Sequence, residues 1–67
     1  MMSFEPDSRS IRRVEFYPDT GAMRIWFKSG HGPYDFAGVS LAKYHAFADA
    51  GSKGKFYWAQ IHPYHRI

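Results

Sequence analysis

Hydrophobic and polar residues alternate in two stretches of the N-terminal half, and each stretch predicts a β-strand. A period of two places every second side chain on the same face of a sheet. The predicted strands cover Ser10–Tyr17 and Ala22–Lys28, and the segment Pro18–Gly21 between them has the residues of a tight turn. We therefore expect a β-hairpin. The residues assigned to its inner face are Val14, Phe16, Met23, Ile25 and Phe27.

The residues before this hairpin fit the alternation less well. Ile11 is out of phase with Val14, so both can face a core only if a β-bulge lies between them. Residues 1–9 contain Ser, Pro and Asp with little periodicity, and we predict a flexible N-terminal arm there. Residues 10–67 are predicted to form a single domain, because no linker or repeat divides them.

A short third strand is predicted over Tyr34–Phe36, after the glycine-rich turn Ser29–Pro33. Tyr34 and Phe36 alternate with Asp35, so both rings point to one side of the sheet. We expect these rings to belong to the core. The hydroxyl of Tyr34 would then need a partner, which leaves a role in a binding site open for it.

Helical spacing replaces the alternation in the C-terminal half. Apolar residues recur every three or four positions over Leu41–Ala50, which predicts a helix with Ser40 as its N-cap. Gly51 is expected to end this helix as a C′ glycine. A short second helix is predicted over Phe56–Ile61, before Pro63.

Together these elements predict an α+β fold. It contains a three-stranded antiparallel β-sheet, connected as a meander, followed by a helix and a short second helix packed on one face. A domain of 67 residues has a small margin of stability, and without cysteine it gains nothing from disulfides. Aromatic residues make up 19% of the chain, so we expect a dense aromatic core or rings left outside for a partner.

The formal net charge of +3 favours anionic partners, such as nucleic acid, nucleotides or phosphate. No apolar run approaches the roughly 20 residues of a membrane span. The N-terminal residues lack the basic and apolar regions of a secretion signal. We therefore expect a cytoplasmic protein without a membrane partner.

A set of short motifs runs through nearly the whole chain in a specific order. In sequence they are Ser10-Ile11, Phe16-Tyr17, Asp19, Ile25-x-Phe27-x-x-Gly30, Tyr34-x-Phe36-x-x-Val39, Tyr44, Phe47, Ala50, Ser52-x-Gly54-Lys55-Phe56 and Ile61. This pattern resembles the KTSC domain, a small family named from the C-terminus of some lysyl-tRNA synthetases. The family also occurs as stand-alone bacterial and viral proteins. Its Tyr-x-Tyr signature stands here as Tyr34-Asp35-Phe36. The resemblance implies a binding module, with RNA proposed as the ligand from its synthetase association.

The stretch Gly51–Lys55, with the sequence GSKGK, contains the glycines and lysines that are typical of a phosphate-binding loop. A Walker-type loop would need glycine where Asp49 stands and Ser or Thr where Phe56 stands, so we exclude a nucleotide hydrolase. Two interpretations remain open. Lys53 and Lys55 beside a helix start would form an anion site, or the glycines and Ser52 would simply supply turn chemistry.

The outer face of the hairpin is a second candidate surface. Trp26 lies between Arg24 and Lys28 on that face, with Arg13 and Tyr17 on the neighbouring strand. Single-stranded nucleic acids are bound by such rings, on which bases stack, and by cations that contact the backbone. Alternatively, Trp26 packs beneath other aromatic residues or at a dimer interface.

The sequence offers little for metal binding or catalysis. Histidines and carboxylates are too few in any one region for a closed zinc site without cysteine. His45 and Asp49 share a helical face and are expected to be an ordinary surface pair. No serine lies in a recognisable nucleophile elbow, so we predict a non-enzymatic protein with no cofactor.

The first hypothesis is therefore a small module that binds RNA, single-stranded nucleic acid or nucleotides. The predicted phosphate-binding residues are Arg24, Lys28, Lys53 and Lys55, with Arg12, Arg13, His62 and Arg66 in support. The predicted stacking residues are Trp26, Tyr34 and Tyr57. The alternatives are a protein–protein interaction module, as a homodimer or an inhibitor of a host protein, with Trp26, Tyr57 and Trp58 as anchors, and a sponge for small anionic signalling nucleotides.

Overall fold

The computed structural model describes residues 1–67 and contains a four-stranded antiparallel sheet with helices against one face. In chain order the strands are Met2–Phe4 (β1), Ile11–Tyr17 (β2), Ala22–Phe27 (β3) and Tyr34–Phe36 (β4). The helical elements are Leu41–Asp49 (α1), Lys53–Phe56 (α2), a π-helical turn over Tyr57–Ile61, and His62–His65 (α3). The strands lie in the order β1-β2-β3-β4. The predicted α+β class and antiparallel meander are confirmed, and the strand count is corrected from three to four.

The additional strand, β1, lies within the segment predicted to be a flexible arm. Phe4 pairs with Val14 of β2 in antiparallel register. Its ring also lies 5.6 Å, between centroids, from the rings of both Tyr44 and Phe47. The prediction of an arm is therefore wrong for residues 2–4. These three residues are too short a run to show periodicity, and their strand forms through pairing with β2.

The hairpin of β2 and β3 forms as predicted, including its bulge. The backbone N–H of Gly21 donates to the carbonyl oxygen of Tyr17 at 2.9 Å, and Gly21 has the positive φ of +76° that this turn requires. The strand register shifts between Ile11 and Arg13. As a result, Ile11 and Val14 are both fully buried despite their opposite phases.

Helix α1 begins as predicted and ends differently. The Ser40 hydroxyl accepts a hydrogen bond from the Lys43 backbone N–H at 3.0 Å, which confirms the N-cap. The helix ends at Asp49 because Ala50 has an extended backbone, with ψ of 137°. Gly51 does not have a positive φ, so its predicted role as a C′ glycine is wrong.

The second helical segment runs from Lys53 to His65, longer than predicted. The Ser52 hydroxyl accepts a hydrogen bond from the Lys55 backbone N–H at 3.3 Å and so caps its start. Pro63 does not end the segment, because it lies in the first turn of α3, where a missing N–H is tolerated.

The core lies between the inner face of the sheet and the helices. The Phe16 and Tyr44 rings stack there at 4.7 Å between centroids. Tyr34 points to this side but stays 46% exposed, because it lies at the margin of the sheet, so its prediction as a core ring is wrong. The buried residues are Ile11, Val14, Phe16, Met23, Ile25, Phe36, Val39, Tyr44, Phe47, Tyr57 and Ile61.

Two buried tyrosines make the stability of this core sensitive to alkali. Burial raises the pKa of the Tyr44 hydroxyl. Burial also raises the pKa of the Tyr57 hydroxyl, with a smaller contribution from the nearby Tyr34, whereas Arg66 lowers it. Since the unfolded chain loses these protons first, we expect full stability below the unfolded tyrosine pKa of about 10 and a decline above it.

Urea unfolding between about pH 8 and about pH 11 measures this decline. The double variant Tyr44→Phe/Tyr57→Phe should flatten the dependence on pH. The control Tyr64→Phe, whose ring is 69% exposed, should leave the dependence unchanged. Parallel curves for the wild type and the double variant would contradict the assignment.

Candidate functional site

An open cavity of about 610 Å³ lies between strand β4 and the second helical segment. Its walls are largely aromatic, with basic side chains and one carboxylate among them. Sites for small ligands have this character: mostly apolar walls with a few polar groups that orient the ligand. The lining residues are Phe27, Ser29, His31, Tyr34, Asp35, Phe36, Tyr57, Trp58, His62, Arg66 and Ile67.

The π-helical turn arranges one wall of this cavity. The backbone N–H of His62 donates to the carbonyl oxygen of Tyr57, five residues earlier, so the turn is wider than an α-helical one. As a result, the ring of His62 lies 5.8 Å from that of Tyr57 and 4.7 Å from that of Trp58. One wide turn thus gathers two aromatic rings and an imidazole. Single π-helical turns occur frequently at functional sites.

Tyr57 forms the floor of the cavity and is not an exposed stacking ring. Its side chain is only 5% exposed, and its ring packs edge-on against Phe27 at 5.1 Å and Phe36 at 5.7 Å. The prediction of Tyr57 as a stacking residue is corrected accordingly. Its hydroxyl makes no hydrogen bond within the protein, and no buried polar side-chain atom lacks a partner, so this hydroxyl opens onto the cavity.

Trp58 and Tyr34 are the rings that a ligand can reach. Trp58 is 63% exposed beside the floor, and Tyr34 stands on the opposite wall, with its ring 5.7 Å from that of Phe27. Tyr34 was predicted as a stacking residue from the sequence, whereas Trp58 was predicted only as an interface anchor. The spacing of Tyr57 and Ile61, four residues apart, was the available signal that Tyr57 turns inward and Trp58 outward.

The positive charge at the cavity comes from Arg66, and two histidines, His31 and His62, also line the cavity. Arg66 Nη1 lies 3.2 Å from His62 Nε2. Because arginine only donates, His62 Nε2 accepts this hydrogen bond. Arg66 forms no ion pair, since the three ion pairs of the structure involve only Arg13 and Arg24. The predicted residues His62 and Arg66 therefore come together here, and His31 is added to them.

The C-terminal turn that carries these residues is held in place from two sides. The Ala37 backbone N–H donates to the His65 carbonyl oxygen at 2.9 Å, beside a β-bridge between Phe36 and Arg66. The Lys43 ammonium of α1 lies 2.9 Å from His65 Nε2 and donates to a main-chain carbonyl of the π-helical turn at 3.1 Å. The cavity wall is thus fixed to both the sheet and α1.

This architecture matches that of a known domain family. The family model of the KTSC domain matches residues 7–64. The chain belongs to the KTSC domain family. Among solved structures, the chain is similar to that of a KTSC domain protein from Yersinia pestis, with 26% identity and a TM-score of 0.87, over 98% of this chain and 96% of that one. No curated protein gives a significant match. The resemblance inferred from the motifs is confirmed.

Three ion pairs lie on the outer face of the sheet in this KTSC domain. Arg13 contacts Glu5 at 3.1 Å and Glu15 at 3.0 Å, and Arg24 Nε donates to Asp35 at 2.8 Å. Side-chain hydrogen bonds to these carboxylates raise the pKa of both arginines. Arg13 and Arg24, both predicted to bind phosphate, therefore already have anionic partners.

Trp26 lies on this same outer face, away from the cavity. It pairs across the strands with Arg13 and is half-buried. The sequence grouped Trp26 with Tyr34 as stacking residues, but the sheet places them on opposite faces. A single base cannot stack on both rings.

The GSKGK stretch of the KTSC domain has structural roles. The Lys53 ammonium donates to the Ala50 carbonyl oxygen, which the end of α1 leaves free. A Cβ atom on Gly54 would lie 3.2 Å from the Ser10 hydroxyl, so glycine allows this close approach. These contacts favour the turn-chemistry interpretation over the anion site, and Lys53 is not a free cation.

The remaining predicted cations, Arg12, Lys28 and Lys55, are exposed and make no side-chain ion pair or hydrogen bond. None of them lines the cavity. His45 and Asp49 form no ion pair either. No three histidine or carboxylate side chains come together to hold a metal, and no helix has the length and apolar character to cross a membrane.

Proposed function

We propose that this KTSC domain is a non-enzymatic, cytoplasmic binding module for RNA, single-stranded nucleic acid or nucleotides, and that the aromatic cavity receives the base. The observation that supports the proposal is the uncompensated charge of Arg66 beside an open aromatic cavity. Bases stack on aromatic rings, and phosphate groups accept hydrogen bonds from arginine and histidine.

The roles within the site follow from exposure and chemistry. Trp58 and Tyr34 offer ring surface to a base, and such stacking contributes about 1–3 kcal/mol per base in other proteins. Arg66, His62 and His31 supply donors for phosphate. Arg24, Arg13, Lys53 and Trp26 are not needed in this arrangement, because they are paired or lie on the other face.

The two tryptophans provide a built-in test, because one lies at the cavity and the other on the opposite face. We expect a short single-stranded RNA to change the fluorescence of the Trp26→Phe variant, in which Trp58 reports. The Trp58→Phe variant, in which only Trp26 reports, should give no such change. Trp58→Ala, which removes the ring, should bind about 5-fold to 100-fold more weakly. Anisotropy of a labelled oligonucleotide measures the affinity of each variant.

The salt dependence provides the second readout. Affinity should fall between about 50 mM and about 200 mM salt, with a slope of about −0.7 for each phosphate neutralised on a single strand. Absence of saturable binding at low salt, with the fold intact by circular dichroism, would overturn the proposal. Binding that is weakened by Trp26→Ala and unchanged by Trp58→Ala would move the site to the outer face and overturn the assignment to the cavity.

A protein-interaction module is the second candidate, and the exposed rings of Trp58 and Tyr64 favour it. They are 63% and 69% exposed, and tryptophan and tyrosine dominate the energetics of protein interfaces. Of the three predicted anchors, Trp58 is exposed, Trp26 is half-buried and Tyr57 is buried. Light scattering separates a homodimer from a monomer, and it also tests the sponge hypothesis, in which two subunits would complete each nucleotide pocket.

A further inference from the structure

We infer that the cavity selects a single nucleotide bearing a phosphate monoester, with Arg66 and His62 as the groups that bind the phosphate. The nucleotide is either free or the terminal residue of a strand. This inference rests on the proposed function and specifies the ligand class of the same cavity.

Positive charge at the cavity is concentrated at one point. Arg66 is the only lysine or arginine that lines it, and His31 and His62 are its other basic residues. Asp35 also lines the cavity, but its carboxylate accepts a hydrogen bond from Arg24 Nε at 2.8 Å. One unpaired guanidinium with adjacent imidazoles suits one phosphate group. A long strand would instead need a track of cations along its backbone.

The local geometry favours a monoester over a diester. A phosphate monoester carries about −1.5 to −2 charge at pH 7 and three acceptor oxygens. Arg66 Nη1 donates to His62 Nε2 at 3.2 Å. A bound dianion would replace His62 as the acceptor for Arg66, and the Nε2–H tautomer of His62 could then donate to the same phosphate. The internal phosphodiester, with a single charge, gains less from two such donors.

The aromatic part of the cavity accounts for the rest of the nucleotide. Trp58 and Tyr34 line the cavity with exposed rings, and the Tyr57 hydroxyl, also of a lining residue, has no protein partner. This hydroxyl offers a hydrogen bond to a polar edge of the base, while the rings cover its faces. The cavity thus offers separate contacts for the base and for the phosphate of one nucleotide.

The experiment compares adenosine with adenosine 5′- and 3′-monophosphate as ligands, using Trp58 fluorescence in the Trp26→Phe background. We expect at least one monophosphate to bind about tenfold or more tightly than adenosine, as for a hydrogen bond between charged groups. Arg66→Gln should remove this preference, because it weakens the binding of the monophosphates more than that of adenosine. Lys55→Gln removes the same charge from an exposed position outside the cavity and should keep the preference.

A pair of oligonucleotides with and without a terminal phosphate identifies the source of the ligand. These outcomes are interpreted once the preference for a monophosphate over adenosine has been observed. A preference for the phosphorylated strand then assigns the site to strand ends. Equal binding of the two strands assigns the site to free nucleotides. Arg66 contributes to the sheet through its backbone, so Arg66→Gln is expected to fold. His62→Gln is the second variant, and it should also reduce the preference.

The two proposals fail in different ways. Equal affinity for adenosine and both monophosphates overturns the monoester inference. If the unphosphorylated oligonucleotide still binds at the cavity in that case, the proposed function stands. If neither nucleotides nor oligonucleotides bind to the folded protein, both the inference and the proposed function are overturned.

Discussion

Replacing Phe47 by alanine should remove about 3–5 kcal/mol from the free energy of unfolding, a large share of the total. The Phe47 ring is fully buried, stacks on Phe56 at 5.3 Å and meets Phe4 edge-on at 5.6 Å. It therefore joins α1 to both α2 and β1. Truncation of a buried phenylalanine to alanine costs about 3–5 kcal/mol. A chain of this length has a total stability of about 3–10 kcal/mol, at about 0.05–0.15 kcal/mol per residue.

Urea unfolding followed by circular dichroism measures this loss. The matched control is Leu41→Ala, on the same helix, because Leu41 is 48% exposed. We expect the control to lose less than about 1 kcal/mol. A Phe47→Ala variant within about 1 kcal/mol of the wild type would show that the contacts between α1 and β1 do not stabilise the fold.

The second large effect is expected at Gly32, in the turn before β4. Gly32 has a φ of +99°, and a Cβ atom there would lie 3.0 Å from the Ile25 carbonyl oxygen and 3.2 Å from the Tyr34 backbone nitrogen. Gly32→Ala should therefore lose about 1–3 kcal/mol through backbone strain. Crowding against the backbone adds a further loss of about 1–3 kcal/mol.

Gly30→Ala is a matched control within the same turn. Gly30 also has a positive φ, of +91°, but its Cβ would meet nothing within 4 Å. The difference between the two variants isolates the close contact of Gly32. Because that contact includes Tyr34, Gly32→Ala should also weaken ligand binding at the cavity more than Gly30→Ala does. Equal losses of stability in the two variants would contradict this account.

The alternation and the helical spacing of apolar residues were sufficient to predict most of the fold. In a regular strand or helix, the position of a residue in the repeat determines whether its side chain is buried. These patterns correctly predicted the hairpin and the Ser40 cap. The phase conflict at Ile11 also predicted the bulge. They missed β1, because three residues carry no measurable period and Phe4 becomes buried only through pairing with β2. They also missed the end of α1, because Ala50 leaves the helix without a left-handed glycine.

The candidate site was harder to predict, because its residues meet only through the tertiary structure. Arg24 and Asp35 are eleven positions apart, and only the register of β3 and β4 makes them a pair. His31 and Trp58 join the cavity from distant segments. The spacing of four residues between Tyr57 and Ile61 was a local indication that Tyr57 points inward. No sequence pattern indicated the π-helical turn that brings Tyr57 close to His62.

The ion pairs of the outer sheet face also determine how the protein's electric field is distributed. They contain two of its nine basic side chains and three of its six carboxylates. Seven basic side chains and three carboxylates remain outside these pairs. These pairs therefore sum to a charge of −1, and the side chains outside them sum to +4. An anion diffusing toward the protein would be attracted by the cations outside the pairs, and its association rate, more than its residence time, would depend on ionic strength.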